Sequence, residues 1–394
     1  MVKAASLFSQ LLTHIPRGEF AALVARHGAH RNAKGFNCWT QLVAMLFCHL
    51  AGAQSLREIC HGLAGALGKL VHLGVERRPN KSTLSYANAH RPAALYEDLF
   101  WRMLDRFRRH GGLGARKRQF RFKNKLLSLD STTISLCLTL FPWASFRRAK
   151  GGVKLHLLLD HDDYLPAYAL ISEARRHDRT AVEHMRLPAG SIIVFDRGYN
   201  DYALFDRLCQ SGVFFVTRLK DNARVEAPLE LALPARRGAV VRDEMIVLES
   251  GPCREPLRRV TVWDEANGRE LVLLTNHLDL AASTIAAIYK DRWEIELFFK
   301  TLKQHLRVKT FVGTSENALR IQIWTALIGL LLLRWLHHLS RAAWSLSNLA
   351  ALLRFNLFTY RDLRDWLADP LGSPPLIPDA AAPVQLILDF GQPV

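Results

Sequence analysis

Tyr289, Arg292, Glu296, Lys300 and Lys303 follow one another at spacings of three, four, four and three residues. That spacing sets a carboxylate among cations and a phenol on one face of a helix. Ile288, Ile295, Phe299, Leu302 and Leu306 fall on the opposite side as an apolar stripe. The same charges also suit a solvated face laced by Arg292–Glu296 and Glu296–Lys300 pairs. Two further acids stand out. Asp130 lies in LLSLDST, behind a run of apolar residues, and Asp196 ends the run IIVF just before Arg197-Gly198-Tyr199. Taken singly, an aspartate at a strand end is the ordinary residue of a turn or cap. Taken together, three converging acids cannot all stay ionised without a counter-charge. Divalent cations with hard oxygen ligands are the usual answer. A pair of them about 4 Å apart clamps both oxygens of a phosphodiester displacement.

The remaining composition agrees with a polyanionic partner. The chain has 394 residues, 53 Lys and Arg against 36 Asp and Glu, and a formal charge of +17. Such an excess favours nucleic acid, although a merely soluble basic protein shows it too. With 49% hydrophobic and 23% charged residues the chain is neither disordered nor fibrous. The six cysteines form no C-x-x-C pair, which suits free thiols in a reducing cytoplasm. The N-terminus has no long apolar core and no small-residue cleavage site, so no secretory signal is expected. The most apolar run, Ile321 to Leu333, is shorter than the ~20 residues a membrane span needs and is expected as a buried helix.

Elements that could position the acids follow from periodicity. Residues 1–110 predict an all-α N-terminal domain, with a capping box at Ser55 and Glu58. Its polar segment Arg77, Arg78, Asn80, Lys81, Ser82 and Thr83 suggests a DNA-binding turn, with a plain helical bundle as the alternative. Residues 111–125 read as a basic linker carrying Arg116, Lys117 and Arg118, with Phe120 and Phe122 interleaved. From 126 the pattern becomes α/β. VKLHLLLD and YLPAYALIS form a hairpin, so Asp160, Asp162 and Asp163 are turn residues and His156 is a structural strand histidine. Residues 218–275 predict an all-β insertion with a hairpin at Asn267-Gly268. Helices return over 276–340 and 341–372, and 373–394 is expected as a disordered tail.

Tyr289-x₂-Arg292-x₃-Glu296-x₆-Lys303 resembles the Y-x₂-R-x₃-E-x₆-K signature of DDE transposases of bacterial insertion sequences, in the insertion-sequence-four-type branch. LDST at 129–132, KLH at 154–156, FDRGY at 195–199 and LLTN at 273–276 resemble further motifs of that branch, in order. The resemblance implies a ribonuclease H-like catalytic domain over 126–217 and 276–340, interrupted by the β insertion at 218–275. Asp130, Asp196 and Glu296 would hold two Mg²⁺ ions, with Mn²⁺ able to substitute. Tyr289, Arg292, Lys300 and Lys303 would hold DNA phosphates, Trp293 would pack, and an aromatic such as Trp263 would stack an extruded base. The implied activity is cleavage at transposon ends followed by strand transfer by transesterification. The partners would be double-stranded DNA, both inverted-repeat ends and target, with a homodimer in the end complex and a cytoplasmic, nucleoid-associated location without a membrane. A Mg-dependent endonuclease without strand transfer and an inactive DNA-binding protein are the alternatives. Gln385 to Phe390 resembles the short peptides that dock on the replication sliding clamp.

Overall fold

The structure, a computed structural model, describes residues 5–31, 35–66, 69–114, 119–136, 141, 143, 145–147, 150–174, 182, 185–233, 238–305, 311–340 and 345–372. In chain order the helices are α1 (Leu7–Leu12), α2 (Arg17–Arg26), α3 (Cys38–Ala51), α4 (Leu56–Ala64), α5 (Lys81–His90) and α6 (Ala94–Gly111). Then come strands β1 (Leu126–Leu136), β2 (Ser145–Arg147), β3 (Lys150–Asp160), β4 (Leu165–Glu173) and β5 (Ile192–Phe195), helix α7 (Tyr202–Gln210) and strand β6 (Phe214–Arg218). Strands β7 (Val225–Glu230), β8 (Val240–Leu248), β9 (Leu257–Asp264) and β10 (Arg269–Thr275) precede α8 (Ala282–Asp291), α9 (Trp293–His305), α10 (Glu316–Leu339), α11 (Leu346–Asn356) and α12 (Leu363–Ala368).

The chain divides into two compact units, residues 104–323 and residues 1–103 with 324–394. In the helical unit Ser55 caps α4 as the sequence predicts, while Glu58 reaches one residue further back than a capping box does. Ser55 Oγ accepts from the Glu58 N–H at 3.1 Å, and the Glu58 carboxylate accepts from the Gln54 N–H at 2.8 Å. The last helices pack with the first ones: the Gln10 side chain donates to the Arg361 carbonyl at 2.6 Å and accepts from the Leu363 N–H at 2.9 Å. α10 is long and apolar enough to cross a membrane by length and composition, but it is mostly buried here, and Ile321, Ile323 and Leu332 are inaccessible.

The other unit is built on one ten-stranded sheet, ordered β2-β3-β1-β5-β6-β10-β9-β8-β7, with β4 also paired to β3. β1 runs antiparallel to β3 and parallel to β5, and β5 runs parallel to β6. All four residues of β5 are buried, as a strand covered on both faces requires. One face packs Leu127, Leu129, Ile193, Phe195 and Phe215 against Leu204, Phe205 and Leu208 of α7. The other packs Leu126, Ile192, Val194 and Val216 against Ala282, Ile285 and Ile288 of α8. Alternation along β1 therefore turns Ser128 and Asp130 to the α8 side, with Leu126.

The β strands of the expected insertion, β7 to β10, extend this sheet. β10 pairs antiparallel with β6, so β7 to β10 continue it laterally. Side chains stitch the join. Asn276, at the end of LLTN, accepts from the Phe215 N–H at 2.8 Å and donates to the Val213 carbonyl at 3.0 Å. Arg258 makes a bidentate pair with buried Asp243, at 2.8 and 2.6 Å, and donates to the carbonyls of Leu278 and Leu280 ahead of α8. The Asn267-Gly268 hairpin forms as expected, with Gly268 at φ 59°. Phe120 and Phe122 stack at 5.1 Å and pack on the α8-side core, so the aromatics of the basic segment serve packing.

Removing one member of a buried ion pair strands the other charge. Asp243→Ala is expected to lower stability by about 3–5 kcal/mol, whereas Asp243→Leu combined with Arg258→Met should recover most of it. Urea unfolding of the three proteins checks this, and an Asp243→Ala midpoint equal to wild type would refute it.

Candidate functional site

Asp130, inside β1, and Asp196, just past the end of β5, stand at the same level of neighbouring parallel strands. Leu129 is the register partner of Phe195, so each aspartate is the next residue along its own strand path. Each carboxylate accepts the backbone N–H of the following residue at 2.7 Å, Ser131 in one case and Arg197 in the other. Glu296 comes from the first turn of α9. The periodicity predicts one unbroken helix through this region. The structure instead breaks it at Arg292, where α8 ends and α9 begins. The N–H groups of Arg292 and Ile295 bond three residues back, to Tyr289 and Arg292, which tightens the junction.

Arg292 is the hub of the site. Its Nη2 lies 2.9 Å from Glu296 Oε1 and its Nη1 3.5 Å from Asp130 Oδ2, so one guanidinium bridges two carboxylates that come from β1 and α9. Its Cζ stands 5.6 Å from the Tyr289 ring centroid. The guanidinium itself is held further protonated by Tyr289, Asp130, Glu296 and Asp196, against the opposing effect of burial. Burial pushes the Asp130 carboxyl up to about 6; the Ser131 N–H and Arg292 oppose this, while Glu296 and Asp196 add to it. Tyr289 is raised as well, chiefly by burial, and it too senses Asp196. The β1–β5 register sets Asp196 beside Asp130, although it does not line the same cleft.

That cleft, of about 450 Å³, is lined by Asp130, Ser131, Thr132, Glu296, Phe299, Lys300 and Lys303. Lys300 is exposed, and Lys303 donates to the Thr133 carbonyl at 3.3 Å. The expected apolar stripe is buried at Ile288, Ile295, Phe299 and Leu302, while Leu306 lies outside the described residues. Trp293 does not pack as expected. It is 57% exposed, because the break at Arg292 starts α9 with this residue facing solvent. Trp263 is also exposed, on β9.

Among the described residues no three Asp, Glu, His or Cys side chains form a ready metal cage, since Arg292 lies between Asp130 and Glu296. The donor chemistry nonetheless suits a divalent cation. All the candidate ligands are hard carboxylate oxygens, and Asp130 already bears the cost of neighbouring negative charge. The turn acids are structural, as read from sequence: Asp163 pairs with Arg108, and Asp160 with Lys125 at 2.7 Å. His156 is buried with Nε2 2.9 Å from Ser172 Oγ. Arg116, Lys117 and Arg118 lie outside the described residues, as does Gln385 to Phe390. In the helical unit Arg77, Arg78, Lys81, Ser82 and Thr83 are exposed around the start of α5.

Residues 121–332 match the family Transposase DDE domain. This chain belongs to the DDE transposases of bacterial insertion sequences. The transposase match takes in β1, β5 and α9, the carriers of all three acids. Residues 3–76 match a second family, Domain of unknown function (DUF4372). The chain is 33% identical over 294 residues to the putative transposase y4zB of Sinorhizobium fredii, covering 72% of this chain and 79% of that protein. It is 36% identical over 223 residues to a probable transposase for insertion sequence element IS5377 of Geobacillus stearothermophilus, covering 56% of this chain and spanning 59% of that protein's length. A structure of a piggyBac transposase synaptic complex with hairpin DNA aligns over 93% of this chain and 81% of that chain, at 15% identity and TM-score 0.45.

The raised Asp130 carboxyl has a stability consequence with a definite sign. The folded state binds this proton more tightly than the unfolded chain, whose aspartates titrate near 3.9. The contribution is therefore fully present below about pH 4 and lost as pH rises through about 6, at most about 2–3 kcal/mol. With divalent metal chelated, Asp130→Asn is expected to unfold at higher urea than wild type at pH 7.5, with the gap closing toward pH 4. A gap independent of pH would contradict the burial argument.

Proposed function

We propose that this transposase cuts DNA at the ends of its element and joins the freed 3′ ends to target DNA, with Asp130, Asp196 and Glu296 as the metal-holding carboxylates. The observation that carries the reading is the meeting of Asp130 and Glu296 about Arg292, in a cleft that also presents Lys300 and Lys303. The antiparallel β4-β3-β1 group followed by parallel β5 and β6 supports a ribonuclease H-like core. The spacing of Tyr289, Arg292, Glu296 and Lys303 along the chain supports the branch with the YREK signature.

Bound Mg²⁺, for which Mn²⁺ substitutes, supplies Lewis-acid activation of the attacking and leaving oxygens. The protein's own groups do the rest. Asp130, Asp196 and Glu296 would hold the metal, and Arg292, which gives one nitrogen to Asp130 and the other to Glu296, offsets their negative charge beside the DNA backbone. Lys300 and Lys303 fix the backbone register of the DNA, a task suited to point charges. Tyr289, held by burial in its protonated form, offers a hydroxyl to the same backbone. Arg116, Lys117 and Arg118, with Arg77, Arg78 and Lys81, extend the contact to double-stranded DNA. Two copies bring two inverted-repeat ends together, and the tail motif at Gln385 to Phe390 docks on the sliding clamp.

Asp130→Asn, Asp196→Asn and Glu296→Gln are each expected to abolish cleavage and joining in Mg²⁺ while leaving DNA binding intact. Gel assays on an inverted-repeat duplex, with anisotropy for binding, check this; cleavage surviving any of the three changes would falsify the ligand assignment. Lys300→Ala and Lys303→Ala should each weaken binding evenly across sequences and reduce the salt slope by about one. An unchanged slope would place these lysines off the DNA path.

A further inference from the structure

Ser128, His161 and Asp291 are joined by two short hydrogen bonds one step behind the carboxylate cleft. Ser128 Oγ lies 2.6 Å from His161 Nε2, and His161 Nδ1 lies 2.6 Å from Asp291 Oδ2. Ser128 is inaccessible to solvent, and the side chains of His161 and Asp291 are 6% and 10% exposed. The Tyr164 hydroxyl reaches the same Asp291 oxygen at 3.5 Å, and the His161 N–H donates to the Leu126 carbonyl at 3.1 Å. Asp291 accepts from Nδ1–H, and Nε2 shares a hydrogen bond with the Ser128 hydroxyl, which can either give or take the proton.

A serine, a histidine and an aspartate in this order suggest a nucleophile, but a wholly buried Ser128 can meet no substrate. What the group does is join three segments. Ser128 lies on β1 two residues before Asp130 and on the same face. His161 lies in the turn between β3 and β4. Asp291 is the last residue of α8, next to Arg292 and just ahead of the helix that carries Glu296. No ladder bond links β1 to α8, and the apolar contact between them is non-directional. Hydrogen bonds are directional, and these grip the chain where its helical ladder is interrupted.

We propose that Ser128, His161 and Asp291 are positioning residues for DNA cleavage: the relay fixes the strand carrying Asp130 against the helix junction carrying Arg292 and Glu296. The proposal rests on the reading of Asp130 and Glu296 as metal-holding carboxylates.

The test uses the full chain and four measurements: single-turnover cleavage at saturating DNA ends, DNA affinity, Mn²⁺ affinity of the DNA-free protein by electron paramagnetic resonance, and the urea midpoint. Ser128→Ala and Asp291→Ala are each expected to slow cleavage and weaken Mn²⁺ binding by about tenfold, with DNA affinity unchanged. Asp291→Asn, which keeps an acceptor for Nδ1–H, should restore most of both. The double variant Ser128→Ala with Asp291→Ala should be no worse than the poorer single, as for one connected unit. Wild-type cleavage and Mn²⁺ binding in folded Ser128→Ala overturns the relay, and so do single effects that multiply in the double. Should Asp291→Ala fail to fold, Ser128→Ala and Asp291→Asn decide the question. Asp130→Asn serves as the control. If it still cleaves, the reading of the site fails; if it is dead while Ser128→Ala and Asp291→Asn both match wild type, only the relay fails.

Discussion

Everything at the site follows from a repulsion that the fold must hold in check. Asp130 and Glu296 come from elements far apart in sequence and approach each other in a partly buried cleft, where like charges are costly. Arg292 makes the approach possible by giving one nitrogen to each. A lysine would have to serve both acids from a single nitrogen, whereas the planar fork gives each acid a nitrogen of its own. The position of Arg292 is thus as constrained as those of the acids. The break between α8 and α9 falls at this residue, where the backbone tightens to bonds three residues back.

A second constraint lies in the sheet. The two aspartates stand side by side because β1 and β5 are parallel and in a fixed register, and parallel strands require burial on both faces. Helix α7 covers one face and α8 the other. The entry of α8 is in turn set by the strands beyond β6. Arg258 holds the carbonyls of Leu278 and Leu280, and Asn276 ties the end of β10 to the start of β6. A stretch that reads as an inserted β domain is therefore mechanically part of the site, since it aims the helix that ends in Asp291 and Arg292.

Much of this was legible in the residues, and the parts that were not share a cause. Strand alternation and β-branched runs placed Asp130 in a strand and Asp196 at the end of one, and the 3.6-residue period placed Glu296 on a helix whose stripe of Ile295, Phe299 and Leu302 is buried. Those are local signals. The break at Arg292 is not local, because it answers to partners on β1 and in the β3–β4 turn. Trp293 was misjudged for that reason: its exposure depends on how α9 starts. The lateral pairing of β10 with β6 escaped the sequence because a strand's pattern records which faces are buried and carries no mark of its neighbour. Phe120 and Phe122 looked like nucleic-acid aromatics by composition, yet they stack on each other, partly buried against the α8-side core.

The two networks around the acids divide the labour by their physics. The Arg292 network is ionic, and the two carboxylates it joins line the cleft. The Ser128, His161 and Asp291 network is buried and directional, and it touches nothing that must leave. A site that keeps an ionisable acid at a raised proton affinity gives up stability there. That cost has to be offset outside the cleft, and the double-faced core about β5 together with the buried Arg258–Asp243 pair lies outside it. Rigid scaffold and exchangeable charge are kept apart by a single residue step, from Asp291 to Arg292.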